Sequence, residues 1–273
     1  PANINTNDYH TVSVIDELPL WSAPFGLELL KKVRIEKNLR ILDVGSGLGF
    51  PSIEIAMRCG LTTRVYSLDP WKGANNRSAY KSNAAGIQNI TIVESPCEKI
   101  PFDDNYFDVI VSNNGLNNVA GLNKSLDECT RVLKNGGQLV FTANLPDTMK
   151  EFYDALKKVL FNEMKAMELA KIEHHIVEKR KSIEFFREIL TKKGLEEVSI
   201  EEGFFSLRFA DAESMMNHFL IRLAFLPSWL EILSNCDSDD ILQKTVDLIN
   251  NQHKGKEIIL SVPFAVFEFR KPD

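Results

Sequence analysis

Little in this chain favours a membrane, a disulfide framework, a metal or a nucleic acid. No run approaches the ~18 uninterrupted apolar residues of a membrane span, so no membrane span is expected. Cysteine is scarce, four in 273 residues. Cys59, Cys97, Cys129 and Cys236 stand far apart with no C-x-x-C spacing, so neither a disulfide framework nor a paired-thiol site is visible. The start, Pro1-Ala-Asn-Ile-Asn, lacks the basic-then-apolar layout of a secretory signal. With the scattered cysteines, this makes a reducing cytoplasm the expected compartment. Basic charge is in deficit, 32 Lys+Arg against 38 Asp+Glu, which argues against sequence-independent attraction to phosphates. Lys31-Lys32 and Lys179-Arg180-Lys181 are short and read as solvated helix faces. His174-His175 has neither H-E-x-x-H spacing nor nearby cysteine ligands, so no metal site is expected. No internal repeat or low-complexity tract is visible.

What remains is ordinary globular composition, 44% hydrophobic and 26% charged, in a chain long enough to bury a sizeable core. Within it Ile41-Leu-Asp-Val-Gly-Ser-Gly-Leu-Gly-Phe50 stands out. An apolar, β-rich run that ends abruptly in glycine reads as a buried strand turning into a loop. The glycines remove Cβ atoms where backbone must bend and where a ligand must lie against it. Pro51 suits the first turn of a following helix. Strand, glycine loop and helix together make a nucleotide-cofactor site.

Spacing narrows the cofactor. The dinucleotide fingerprint is G-x-G-x-x-G; here the pattern is G-x-G-x-G, and Phe50 stands where the third fingerprint glycine would be. Arg64-Val-Tyr-Ser-Leu-Asp69 is a second short β-type run ending in a carboxylate. A carboxylate at the end of the second strand is placed to accept hydrogen bonds from ribose hydroxyls.

Alternation continues along the chain. Ser22 to Val33 reads as an amphipathic helix, Arg40–Val44 as a strand, Ser52 to about Arg58 as a helix ended by Gly60, and Arg64–Leu68 as a strand. A polar helix follows over about Asn75–Ala85, stopped by Gly86. Strands are expected at Ile90–Glu94, Phe107–Ser112 and Gln138–Thr142. The helix Leu122–Leu133 lies before the last of these, ended by an Asn135-Gly-Gly turn. Such alternation implies a doubly wound α/β fold with a parallel sheet and right-handed crossovers. The second half is less regular. It reads as one long helix from Thr148 to about Arg180, a helix over Ser182–Lys193, and strands at Leu195–Glu201 and Phe204–Phe209. Helices follow over Ala212–Phe225, Ser228–Leu233 and Ser238–Gln252, before a β-like Ile258–Arg270.

Four segments in order, LDVGSGLGF (42–50), VYSLDP (65–70), CEKIPFDDNYFDVIVSN (97–113) and CTRVLKNGGQLVFT (129–142), resemble the class I S-adenosylmethionine-dependent methyltransferases. The likeness is to the group of ubiquinone/menaquinone-type and related small-molecule enzymes, and it anchors roughly residues 38–145. It implies a seven-stranded, mostly parallel sheet whose last strand is antiparallel. The expected organisation is a lid segment over 1–37, a cofactor-binding core over 38–145, its continuation over 146–210, a helical cap insertion over 211–256 and a final strand within 257–273. It also implies S-adenosylmethionine as cofactor and transfer of its methyl group to a small-molecule acceptor.

Carried onto this chain, the resemblance assigns Gly45, Ser46, Gly47 and Gly49 to backbone contact with the cofactor. Asp43 would orient the methionine amino group or satisfy loop N–H groups. Asp69 would take the ribose hydroxyls, with Pro70 and Trp71 following it and Trp71 a candidate neighbour of the adenine. The family often has an acidic residue after the third strand; this chain has Pro96 there, which leaves Cys97 and Glu98 to read the adenine. Asn113, Asn114 and Gly115 follow the fourth strand and would face the cofactor. Asn117 could reach substrate, as could Asn118, although asparagine is also a turn residue. No Asn/Asp-Pro-Pro-Tyr signature of base-amine methylation is present. Lid segments are expected at Asp8-Tyr-His10 and Leu18–Phe25. Candidate bases are His10 and His218, the latter on the Met215–Phe219 stretch; for each, an ordinary surface or helix position is the alternative.

Two further readings stay open: a cofactor-binding module of this fold without transfer activity, and a nicotinamide-dependent oxidoreductase supported by the glycine loop alone. The acceptor atom and the oligomeric state are not specified by the sequence.

Overall fold

The structure, a computed structural model, describes residues 5–18 and 21–273. Pro19 and Leu20 of the expected lid segment, and residues 1–4 of the chain start, lie outside the described residues. Seven strands form, β1 Arg40–Val44, β2 Arg64–Leu68, β3 Ile90–Val93, β4 Phe107–Asn113, β5 Leu133–Asn144, β6 Glu196–Phe209 and β7 Ile258–Arg270. Helices α1 to α5 are Tyr9–Glu17, Ser22–Lys32, Ser52–Cys59, Lys72–Ala84 and Leu122–Val132. Helices α6 to α11 are Lys150–Asn162, Ala166–Lys179, Ile183–Lys192, Ala212–Asn217, Leu226–Ile232 and Ser238–His253.

The strands lie in one sheet in the order β3-β2-β1-β4-β5-β7-β6. The pairs β1–β2, β1–β4, β2–β3 and β4–β5 are parallel, and β5–β7 is antiparallel. This is the doubly wound, mostly parallel sheet expected. In it β1 has a neighbour on each side, and Ile41, Leu42 and Val44 are fully buried. A strand covered on both faces reads as a near-continuous apolar run, which is why β1 was legible. Between β1 and β4 the winding reverses direction, and ligands of open α/β sheets bind at the carboxyl ends of strands at such a switch point.

Several boundaries differ from expectation. The segment 148–180 is two helices, because Met164 takes a left-handed conformation (φ 55°). The Lys165 amide closes back on the Leu160 carbonyl at 2.8 Å, a helix-ending pattern. Apolar spacing runs through this break unaltered, and a left-handed methionine carries no glycine-like signal. Asn135-Gly-Gly is not a turn that ends the preceding helix; it lies inside β5. The ladder slips there, with Phe107 opposite Leu133 and Val109 opposite Gln138, and the Gly136 amide donates to Lys271 O at 2.8 Å. The two strands expected at 195–201 and 204–209 are one strand. Gly203 sits in its middle because the Phe264 ring occupies the space of a Cβ there. Residues 212–225 are the short α9 followed by a π-helical turn, Ile221–Phe225, running into α10. The strand expected at Ile90–Glu94 ends at Val93, and the helix expected from Asn75 begins at Lys72. Arg180, expected on a solvated face, is buried at 4% exposure.

Contacts divide the described chain into two compact units. The first comprises Asn5–Asn144, Lys181–Gly203 and Phe264–Asp273. Phe141, Phe186 and Phe267 meet at its sheet face, with ring centres 4.6 Å (141–267), 5.0 Å (186–267) and 5.1 Å (141–186) apart. The second comprises Leu145–Arg180 and Phe204–Pro263 and is mainly helical. There α6 buries Phe152, Tyr153, Leu156, Val159 and Leu160, and α11 buries Ile241, Val246 and Ile249. The ring of Phe152 stacks on Trp229 with centres 3.8 Å apart.

Truncating Phe141 to alanine removes the centre of the three-ring cluster. Urea unfolding should show a loss of about 3–5 kcal/mol. Leu61→Ala, at a position 67% exposed, should stay within about 0.5 kcal/mol of the parent.

Candidate functional site

The loop after β1 is held by the end of β2. The Leu68 carbonyl accepts from the amides of Gly45 (2.9 Å) and Ser46 (3.2 Å), and Asp69 Oδ2 accepts from the Gly47 amide at 2.8 Å. The Gly49 amide donates to the Ser46 carbonyl at 2.9 Å. All four loop amides singled out in the sequence are therefore used inside the protein. Gly45 is required by close approach: a Cβ there would stand 2.8 Å from Gly115 Cα, and one on Gly115 would stand 2.5 Å from the Val44 carbonyl. The β1 loop and the turn after β4 thus pack back to back. Gly49 has φ 95° and faces α4, where a Cβ would meet Ser78 Oγ at 2.5 Å.

Two carboxylates flank this loop. Asp43 is fully buried; its Oδ2 accepts from the Ser52 amide at 3.1 Å, at the first turn of α3, where a negative charge suits the helix N-terminus. Its Oδ1 has no partner. Burial, with Asp69 nearby as a smaller contribution, pushes its pKa up to about 7. Asp69 is 8% exposed, and its Oδ1 accepts from the Trp71 amide at 2.7 Å. Desolvation raises its pKa, partly offset by the amides of Trp71 and Gly47. Ser52, Ser67 and Ser46 form a buried hydroxyl chain beneath the loop, 3.3 Å and 2.7 Å long.

The end of β4 carries a network of amides. Asn113 Nδ2 donates to the Ser22 carbonyl at 2.9 Å and its Oδ1 accepts from Thr142 Oγ1 at 3.1 Å. Asn114 has φ 58°; its amide donates to Thr142 Oγ1 at 2.9 Å and its Oδ1 accepts from Asn117 Nδ2 at 2.6 Å. Asn117 Nδ2 also reaches Asn144 Oδ1, while Asn117 Oδ1 is buried without a partner. Asn118 Nδ2 donates to the Asn114 carbonyl at 3.1 Å. Thr142 and Asn144 were not singled out in the sequence. The pairing of Asn113 with Thr142 across β4 and β5 brings them in, and no local signal carries that register.

The remaining candidates are spread out. Pro70 is exposed. Trp71 is half-buried and its Nε1 donates to the Thr6 carbonyl at 2.7 Å. Asp16 of α1 holds both Arg77 (2.7 Å) and Lys81 (2.6 Å) of α4, so residues 5–17 are strapped to the helix that follows Asp69. His10 is exposed and edge-on to Tyr9 at 5.7 Å. The Cys97 side chain is buried against α5, with Sγ 3.9 Å from the Ser125 carbonyl. Glu98 Oε1 is taken by the Gly121 amide at 2.8 Å. His218, in the helical unit, packs edge-on to Phe209 at 5.3 Å with a buried, unpartnered Nδ1. Residues the sequence reading missed are Gly26, where a Cβ would strike the Phe50 ring, and Asn75 and Ser78 of α4. Their i, i+3 spacing was the available signal. Among the described residues no cluster of three His, Cys, Asp or Glu could hold a metal.

The unpartnered atoms of this region share one character. Asp43 Oδ1, Asn75 Oδ1, Asn117 Oδ1 and Ser78 Oγ are all buried without a hydrogen-bond partner, and all can accept. A buried acceptor left unmade is costly, so the region suits a ligand that brings donors and positive charge. S-adenosylmethionine has an ammonium, a sulfonium and ribose hydroxyls. It fits this set better than a pyrophosphate, which needs free amides.

Sheet order, switch-point loop and strand-end carboxylate are those of the class I methyltransferase-type fold. Residues 42–141 match the methyltransferase domain family. The ubiquinone/menaquinone biosynthesis C-methyltransferase UbiE of Citrifermentans bemidjiense is 34% identical over 127 residues, 46% of this chain and 54% of that protein. The chain thus spans about half the length of the curated relatives it matches. In fold, the YcgJ protein of Bacillus subtilis superposes with a TM-score of 0.56 over 92% of this chain and 99% of its own, at 16% identity. The [4+2]-cyclase SpnF does so with 0.56 over 90% of this chain and 79% of its own, at 17% identity. S-adenosylmethionine is the cofactor of this domain class.

Two outcomes follow from the loop. Gly115→Ala should cost at least about 2 kcal/mol in chemical denaturation, because its Cβ meets backbone rather than a side chain that can move. The Asp43 carboxyl titrates near 7 when folded and near 4 when unfolded. The stability it contributes is therefore present at low pH and lost as pH rises through 7. Relative to Asp43→Asn, the parent protein should lose on the order of 2–4 kcal/mol between about pH 4 and pH 8; a parallel pH profile of the two would refute the assignment.

Proposed function

We propose that this chain transfers the methyl group of S-adenosylmethionine to a small, partly apolar acceptor. The observation that carries the reading is the set of unpartnered buried acceptors beside a loop whose Gly45, Ser46, Gly47 and Gly49 amides are already used. The cofactor supplies an electrophilic methyl group on a sulfonium. The protein's task is then to hold an acceptor atom in line with that bond, largely a proximity effect, and to take up a proton where the acceptor needs it. In this reading Asp69 receives the ribose hydroxyls through the lone pairs its two backbone partners leave. The carbonyls of the loop and Asp43 orient the ammonium. The backbone of Cys97, with Trp71, borders the adenine. Asn113, Asn114 and Gly115 border the methyl, and Asn117 Oδ1 is the buried acceptor nearest in sequence to them. Acceptor choice is assigned to segments outside residues 42–141. The quinone-biosynthesis relatives favour a ring-bearing acceptor, and the four free cysteines suit a reducing compartment.

A second reading, a binding fold without methyl transfer, has support from the [4+2]-cyclase sharing the fold and from the exposure of His10, which places no base at the loop. A nicotinamide oxidoreductase is disfavoured because the amides of Gly45, Ser46, Gly47 and Gly49 are already used within the protein.

Calorimetry should find binding of S-adenosylmethionine and S-adenosylhomocysteine and none of NAD or NADP. Asp69→Asn, which turns one acceptor oxygen into a donor, should weaken both by about tenfold, the worth of one or two hydrogen bonds. Absence of binding to either adenosyl compound would remove the proposal. Binding without turnover on any quinol or phenol acceptor would leave the second reading.

A further inference from the structure

The helical unit holds a buried charge that forms no ion pair among the described residues. Arg180, the residue that ends α7, is 4% exposed. Its Nη2 donates to the Tyr153 hydroxyl at 3.2 Å and the guanidinium lies 5.0 Å from the centre of that ring. Its Nε and Nη1 are buried and have no partner. The Trp229 indole also donates to the Tyr153 hydroxyl, at 3.0 Å. Two donors thus converge on one phenol oxygen, and no described acceptor receives the guanidinium's other protons.

The carboxylates of α7 lie elsewhere. Glu173 pairs with Lys157 at 3.2 Å and Glu178 with His174 at 3.7 Å. Glu168 is buried but stands twelve residues earlier in the chain, roughly 18 Å by helical rise. His175, whose ring is 6.1 Å from Tyr153, is held neutral: burial first, then Arg180 and Lys179, lowers its pKa to about 4. Glu178 acts on His175 as a smaller opposing charge, and its own ion-pair partner is His174.

An arginine left unpaired in the interior is strongly disfavoured unless an anion completes it. The surroundings define which anion. Tyr153 and Trp229 are at most 2% exposed, Phe152 stacks on Trp229, and Phe225 lies 6.1 Å from it. A single fixed cation among aromatic faces is neutralised by a monoanion, whereas a phosphate dianion would leave excess negative charge in apolar surroundings. We propose that Arg180 and Tyr153 form an anion site in the helical unit that takes the carboxylate of a small aromatic acid. The ring of the acid lies among the Trp229, Phe152 and Phe225 side chains. The π-helical turn Ile221–Phe225 directly precedes the helix that carries Trp229, and such turns recur at functional sites. This site does not depend on the methyl-transfer reading.

The test uses the whole chain, with benzoate, its neutral isostere benzamide and inorganic phosphate at matched ionic strength. Calorimetry and thermal midpoint should register benzoate, with a dissociation constant of about 1 mM or tighter; benzamide and phosphate should leave both readouts unchanged. Arg180→Met should weaken benzoate at least about tenfold, and Arg180→Lys, which keeps the charge but not the planar fork, several-fold. The comparison of benzoate with benzamide on the parent protein holds even if the methionine variant fails to fold. Equal response to benzoate and benzamide, no response to benzoate, undiminished benzoate binding by Arg180→Met, or preference for phosphate would each overturn the proposal.

Discussion

The amides of Gly45, Ser46 and Gly47 are taken by the Leu68 carbonyl and the Asp69 carboxylate, and the character of the site depends on that capture. A glycine loop at a switch point is ordinarily a cradle of N–H groups that favours phosphate. Here the end of β2 turns the donors inward, and the Asp43 carboxylate accepts from the first amide of the following helix. What the loop leaves for a ligand is oxygen: a buried carboxylate atom, two amide oxygens and a hydroxyl without partners. The same capture fixes the loop against the turn after β4, where Gly45 and Gly115 leave each other no room for a side chain. The geometry at the carboxyl ends of β1 and β4 is therefore set by backbone contact.

Each unit of the chain buries a polar imbalance, and the two have opposite sign. In the sheet unit, Asp43 is uncompensated enough that its pKa rises to about 7, which suits a ligand carrying positive charge. In the helical unit, Arg180 lacks an acceptor on two of its nitrogens, which suits an anion. Unsatisfied buried groups are rare in native proteins and call for an explanation. The ligands proposed for the two sites would bring each group its missing partners.

The elements that were legible are those whose pattern is set by burial on both sides. Arg40–Val44, Arg64–Leu68 and Ile258–Arg270 came out with the boundaries expected, because central strands concentrate apolar residues in short runs bounded by turn residues. The unseen breaks turn on backbone conformations that carry no compositional mark. Met164 enters the left-handed region without being glycine, and Asn135-Gly-Gly forms an irregularity within β5 because the chain's last residues pair with it. The two strands expected at 195–201 and 204–209 run on as one through Gly203, where an aromatic ring lies against the strand.

By itself the sequence determined the class of fold, the order of strands and helices through the first half, and the carboxylates and glycines that surround the first loop. Those follow from periodicity, from residues that lack a Cβ, and from charge placed at strand ends, all of which are local. Only the tertiary structure decided that the amides of Gly45, Ser46, Gly47 and Gly49 are used within the protein, that Thr142 and Asn144 meet the asparagines after β4, and that Arg180 is buried with two nitrogens lacking an acceptor rather than solvated. Hydrogen-bond satisfaction and burial are sums over neighbours brought together from distant parts of the chain, and no local stretch of sequence carries them.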